Sequence, residues 1–279
     1  MDIRPNPYLC TKYIYMAEKR RRTEISTLGE FGLIDHLTKE FKTSQPTTLK
    51  GVGDDCAVIS AGDKLLVMTT DLLLEGIHFD LTYSPLRHLG YKAVVVNLSD
   101  VYAMNAKPTQ ITVSVGVSAK LSVEDMEELY TGIHMACERY SVDLVGGDTS
   151  ASLTGLCISV TAIGEVSREN ITYRSGAKVN DIICVSGNLG SAFMGLQILE
   201  REKRVFQATG MEQPKLEGYD YVLQRQLKPE AKQSTIDMLR EAGVKPSAMI
   251  DISDGLSSDL KHICKQSGVG CRVYLEKIP

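Results

Sequence analysis

Apolar residues alternate with period two over residues 109–117, where Ile111, Val113, Val115 and Val117 fall on one side. A strand with that pattern has one apolar face, which another layer must cover. Residues 156–166 repeat the pattern, and 64–71 form a short apolar run of the kind expected of a buried strand. The intervening segments change to helical spacing. Residues 85–105 turn Leu86, Leu89, Ala93, Val96 and Leu98 inward, and 122–140 open S-V-E-D with Asp125 at a capping-box position. An earlier helix is predicted over 26–41 from Leu28, Phe31, Ile34, Leu37 and Phe41, and a short strand over 143–146.

From about residue 167 the pattern predicts a second unit. It has strands at 181–186, 248–252 and 270–275, helices at 190–200 and 255–266, and a polar, weakly periodic stretch over 201–218 followed by further helix. Strands and helices mixed in this way give an α/β or α+β fold in two units, 24–166 and 167–279, behind an N-terminal arm of 1–23. Met16 is a plausible initiator inside that arm. The second unit reads as truncated, because the sequence stops at Pro279 shortly after its last strand.

A net charge of -4 and a pI near 5.8 give no general drive toward nucleic acid. No apolar run approaches the roughly 20 residues needed to span a bilayer, and the basic cluster at 19–22 comes too late for a signal peptide. The seven cysteines are an odd, scattered set without a C-x-x-C pair, which suggests a reduced, cytoplasmic setting and no zinc site.

The chemistry is concentrated in five acidic clusters: G-V-G-D-D over 51–55, T-T-D over 69–71, N-L-S-D over 97–100, G-G-D-T over 146–149 and D-I-S-D-G over 251–255. Taken singly, each has a plainer reading as a turn, a strand end or a helix cap; Ser253 and Asp254 could simply cap the helix that follows them. Together, Asp55, Asp71, Asp100, Asp148 and Asp251 lie at element ends or in otherwise apolar contexts. Converging carboxylates repel one another unless cations neutralise them. Mg²⁺ takes oxygen ligands and commonly bridges carboxylates to substrate phosphates. The chain has no G-x-x-x-x-G-K-[ST], no kinase-type G-x-G-x-x-G and no G-x-S-x-G elbow. Of the histidines His36, His78, His88, His134 and His262, only His78 follows a loop and is a functional candidate.

In order and spacing, these motifs, with G-E-F-G-L-I over 29–34, G-I-H-F over 76–79 and R-S-G-A over 174–177, resemble the thiamine-monophosphate kinase family from about Thr23 onward. The resemblance implies the two-domain fold of the aminoimidazole ribonucleotide synthetase superfamily, whose N-terminal halves pair into a dimeric β-barrel flanked by helices. It implies ATP-dependent phosphorylation of thiamine monophosphate to thiamine diphosphate by direct in-line transfer. By motif match, Asp55, Thr69, Thr70, Asp71, Asp100, Asp148, Asp251 and Asp254 would bind Mg²⁺. Gly147, Asp148, Arg174 and Ser253 would contact ATP with Tyr130 nearby, and His78 would contact the thiamine phosphate. The catalytic set would be Asp55, Asp71, Asp148 and Asp251. Absent from this sequence are the family's later G-G-E-D-Y-E-L-like motif and C-terminal aromatic. The competing readings are another ATP-using enzyme of the superfamily and a catalytically silent nucleotide-binding protein.

Overall fold

The computed structural model describes residues 23–210 and 213–278, so the expected arm of 1–23 lies almost wholly outside the described residues. Those described fall into two compact units, one ending at Ser44 and one beginning at Gln45. In the first, a 3-10 turn (Ile25–Thr27) leads into helix α1 (Gly29–Thr38). The helix expected over 26–41 is therefore shorter at both ends.

The second unit is built on one six-stranded sheet. Strands β1 (Thr48–Lys50), β2 (Ala57–Ala61), β3 (Lys64–Leu74), β4 (Lys107–Ser118), β5 (Asp143–Ser152) and β6 (Cys157–Ser167) lie in the order β1-β2-β3-β6-β4-β5. All neighbours are antiparallel except β4 and β5, which run parallel. The alternation read from sequence places Ile111, Val113 and Val115 of β4 and Ile158, Val160 and Ala162 of β6 in the core, each at most 4% exposed. Helix α2 (Leu86–Ala103) covers that face, packing on β3, β4 and β6, and α3 (Val123–Tyr140) packs on α2.

The α2–α3 approach is close because two glycines permit it. A Cβ at Gly90 would lie 2.0 Å from the Leu129 carbonyl oxygen, and one at Gly132 would lie 1.9 Å from that of Arg87. The predicted capping box opens α3: Ser122 Oγ accepts from Asp125 N at 3.2 Å, and Asp125 Oδ2 accepts from Ser122 N at 2.8 Å.

Three expectations are corrected. Strand β5 does not end before the G-G-D-T run but carries it, continuing to Ser152 along the exposed edge of the sheet. Gly147 makes this possible, since any Cβ there would strike the Val113 carbonyl at 1.7 Å. Residues 181–186, 248–252 and 270–275 form no strands. They have apolar side chains of the right type, but no neighbouring strand supplies the hydrogen-bond ladder that defines a sheet. Finally, α4 (Ser191–Thr209) extends nine residues into the stretch read as weakly periodic. Its inward stripe includes Glu202, only 8% exposed, which accepts hydrogen bonds from Lys215 N and from Arg201. A charged residue doing a core residue's job hides the helical period.

Helices α5 (Asp220–Leu227), α6 (Gln233–Glu241) and α7 (Leu256–Ser267) complete the unit. They are tied to the sheet-covering helices through polar contacts. Glu230 accepts from the hydroxyls of Tyr91 (2.8 Å) and Tyr140 (2.6 Å), and Arg240 donates to the Asn105 carbonyl (2.8 Å). Among the described residues no helix is long and apolar enough to cross a membrane.

Candidate active site

Three of the predicted aspartates converge. Asp55 sits on the glycine-rich loop before β2, Asp100 on the last turn of α2 beside the sheet, and Asp251 on the loop before α7. One carboxylate oxygen from each lies within 4.8 Å of the other two. Asp71, in β3, borders this group closely enough for its charge to act on both Asp100 and Asp251. The T-T-D run lies inside β3 rather than at its end, since the strand continues to Leu74.

Each carboxylate is held by a specific neighbour. Thr69 Oγ1 donates to Asp100 Oδ2 at 2.7 Å, and Ser99 Oγ donates to Asp251 Oδ2 at 2.8 Å. Arg174 grips Asp55 Oδ1 with both Nη2 (2.6 Å) and Nε (3.2 Å), while its backbone N–H donates to Asp54 Oδ1 at 3.0 Å. Asn97 is fully buried, accepting from Asp71 N at 2.9 Å and donating to the Ala93 carbonyl at 3.0 Å. Asp55 Oδ2 is buried and accepts nothing.

The other predicted residues are placed differently. Asp148 is exposed on β5, in register with Ser114, and stands outside the three-carboxylate group. The Thr70 hydroxyl donates to the Val160 carbonyl at 3.2 Å and accepts from Thr161 Oγ1 at 3.1 Å. Ser253 and Asp254 are exposed, and neither caps α7; its first residues are instead met by Asp259, which accepts from Gly255 N at 3.1 Å. Tyr130 is half-buried against the core. His78 is exposed, its Nδ1 accepting from Leu74 N at 3.0 Å, and its charge acts on Asp71. Three residues with clear parts in this geometry carried no role in the sequence: Asp54, Asn97 and Ser99. The last two sit inside the N-L-S-D run, where a buried amide and hydroxyl beside an aspartate are the available signal.

Electrostatics follow from packing carboxylates together away from water. Burial, reinforced by the charges of Asp251 and Asp71, pushes Asp100 up to about 9. Burial also pushes Asp55 up to about 7, although the Arg174 guanidinium pulls the other way. Asp251 and Asp71 are raised as well, again chiefly by burial. A site that resists ionisation, offers only oxygen donors and includes an unpartnered buried carboxylate oxygen fits a hard divalent cation such as Mg²⁺. Among the described residues no His or Cys donor takes part, which disfavours softer metals.

The titration has a consequence for stability. Between the unfolded carboxylate value of 3.8 and the raised values of about 7 and about 9, the folded chain binds more protons than the unfolded chain. Without divalent ions, stability therefore falls as pH rises through that window. A divalent cation held by these carboxylates would favour the ionised form, so any stabilising effect of Mg²⁺ should grow from pH 6 to pH 9. Thermal melts with and without Mg²⁺ across that range check this; a metal-induced shift that shrinks with rising pH would contradict it.

Residues 53–166 match the family model described as AIR synthase related protein, N-terminal domain. The thiamine-monophosphate kinase of Aquifex aeolicus is 36% identical over 255 residues, which cover 91% of this chain and 76% of that protein. The chain belongs to the thiamine-monophosphate kinase family. Among other members of the family, the Bacillus subtilis enzyme is 34% identical, with 90% of this chain and 75% of that protein covered. In structure, AaThiL complexed with AMPPCP and TMP superposes with a TM-score of 0.76 at 34% identity, covering 89% of this chain and 74% of that one. The clusters 69–71, 97–100 and 146–149, and residues 53–55 of the first cluster, fall inside the matched family model, whereas Asp251 lies beyond it.

Proposed function

We propose that this chain phosphorylates thiamine monophosphate to thiamine diphosphate at the expense of ATP, as a cytoplasmic kinase. The observation that carries the reading is the convergence of Asp55, Asp100 and Asp251, bordered by Asp71, in a chain with no phosphate-binding lysine motif. Family membership supplies the reaction class, and the structural neighbour that holds AMPPCP and TMP supports both substrates.

Asp55, Asp71, Asp100 and Asp251 would hold Mg²⁺, with Thr69 orienting Asp100 and Ser99 orienting Asp251. A cation held there would supply positive charge to offset the negative charge of the transferring phosphoryl group. The chain's own residues do the rest by positioning. Arg174 is poised to exchange its grip on Asp55 for a nucleotide phosphate, and Gly147, pressed against the β4 backbone, offers the nucleotide its main chain. Asp148, Thr70, Asp254, Ser253 and Tyr130 are assigned to the nucleotide and its metals, in positions outside the buried group. His78, fixed at Nδ1 by Leu74 N, presents Nε2 to the thiamine phosphate. No protein nucleophile is needed for direct in-line transfer, because an oxygen of the thiamine phosphate attacks the γ-phosphoryl group and ADP leaves, and none is conspicuous among the described residues. The division of the chain near residue 167 fits the same scheme, with Asp251 reaching the metal site from the second part.

A coupled assay for ADP release decides the matter: thiamine monophosphate should stimulate release with Mg²⁺ present. Release that is absent, or indifferent to thiamine monophosphate, would overturn the reading in favour of a silent nucleotide-binding protein or another superfamily activity.

The open face of the sheet, with Met68 41% and Leu72 50% exposed, supports a homodimer closed through that face. Light scattering at micromolar concentration should give twice the chain mass, and a monomer would refute the dimer.

A further inference from the structure

The run S-G-N-L-G-S over 186–191 takes no part in the acidic site. Gly187 (φ +85°) and Gly190 (φ +78°) both adopt left-handed backbone conformations, and the loop they shape delivers the chain into α4. Gly190 is the N-cap residue and has no side chain to cap the helix, and among the described residues no side-chain acceptor meets its first N–H groups.

Two cations converge on this loop. A Cβ at Gly187 would lie 2.8 Å from Lys232 Nζ and 4.0 Å from Arg225 Nη2. Neither side chain makes a hydrogen bond or an ion pair among the described residues, and Arg225 Nε is buried without a partner. The loop is braced from one side, where Asn188 Nδ2 donates to the Tyr221 hydroxyl at 2.8 Å, one helical turn before Arg225. Unpaired like charges held together beside uncapped N–H groups repel one another. That arrangement is stable when an anion completes it.

We propose that Gly187–Gly190, the N-terminus of α4, Arg225 and Lys232 form a phosphate-binding site. Its ligand is a phosphate dianion, free or as a monoester of a small molecule. The planar guanidinium suits two phosphate oxygens, the ammonium adds a compact charge, and the side-chain-free glycines allow close approach to the backbone. The site is cationic and needs no metal, which separates it chemically from the acidic cluster.

That separation defines the test. With EDTA present, inorganic phosphate titrated into the whole chain and followed by calorimetry should bind the wild type. Arg225→Gln/Lys232→Gln should weaken binding by about tenfold or more, as expected for losing two charge-assisted contacts. Lys261→Gln, on exposed α7 surface, should bind as the wild type does. Arg225→Lys, which keeps the charge, should lose less than Arg225→Gln. Should the double variant melt early, Lys232→Gln alone should still weaken binding by about threefold. Competition identifies the ligand's source: displacement by TMP marks a monoester site serving the acceptor, and displacement by neither TMP nor AMPPCP marks a site for free phosphate. Equal phosphate affinity in wild type and double variant, or no wild-type binding at about 10 mM, a level at which a site with even millimolar affinity would be filled, overturns the proposal. Both outcomes are independent of whether the chain is a kinase.

Discussion

Asp100→Asn should abolish phosphoryl transfer while leaving the metal-free protein nearly as stable as the wild type at pH 7. The two halves of this result have one cause. At pH 7 and without metal, Asp100 retains its proton, because burial and the neighbouring carboxylates push it up to about 9. Asparagine copies that neutral acid in shape and can still accept from Thr69 Oγ1, so folding changes little. Metal binding replaces the proton with a cation, and asparagine cannot supply the charge this exchange needs. A loss on the order of 10²–10³ in kcat is expected, the scale seen when one preorganised electrostatic group is removed. Above pH 9 the order of stabilities reverses: wild-type Asp100 ionises among like charges, and the variant becomes the more stable by ~1 kcal/mol. Turnover assays paired with thermal melts at pH 7 and pH 9.5 separate these effects. Near wild-type turnover would mean that Asp100 is only a buried structural acid.

Nucleotide binding should collapse when divalent ions are chelated. The buried cluster offers a nucleotide carboxyl groups and no free cation: Asp55, Asp100 and Asp251 meet there with Asp71 beside them, and Arg174 is engaged with Asp55. A polyphosphate brought to that surface without cations meets like-charge repulsion in a poorly solvated place, where such terms are large. We expect ATP affinity measured by calorimetry to fall at least 100-fold in excess EDTA and to recover with Mg²⁺, since several charge-assisted contacts are lost together. Affinity that survived chelation would mean that the nucleotide is held elsewhere, and the carboxylates would lose their assigned role.

Much of the fold was legible because its signals are local. The alternation in β4 and β6, the S-V-E-D cap of α3 and the apolar spacing of α2 are patterns that neighbouring residues impose on each other. Other features depend on distant partners. Residues 181–186, 248–252 and 270–275 look like strands by side chain, yet form none, because strand formation depends on a partner that the segment itself does not encode. Glu202 hides the period of α4 by being buried, and only Lys215 and Arg201 explain how it can be. In the site, sequence named Asp55, Asp100 and Asp251 but not their meeting. It also assigned Arg174 to the nucleotide, without indicating that its guanidinium rests on Asp55. That contact spans 119 residues and no spacing rule reaches so far.

Asn97 divides the carboxylate cluster proposed to hold metal into parts of unequal freedom. Its amide joins Asp71 N on β3 to the Ala93 carbonyl within α2, so the strand that carries Asp71 and the helix that carries Asp100 are clamped at a fully buried point. Asp251 has no such clamp: among the described residues, the Ser99 hydroxyl is the one side-chain bond between it and the helix. The coordination sphere is thus part anvil and part hammer. Asp71 and Asp100 would then keep their spacing, and adjustment to nucleotide or product would fall on the Asp251 loop. Metal affinity would then be set by the reach of that loop, and Ser99→Ala would loosen the site without touching a ligand.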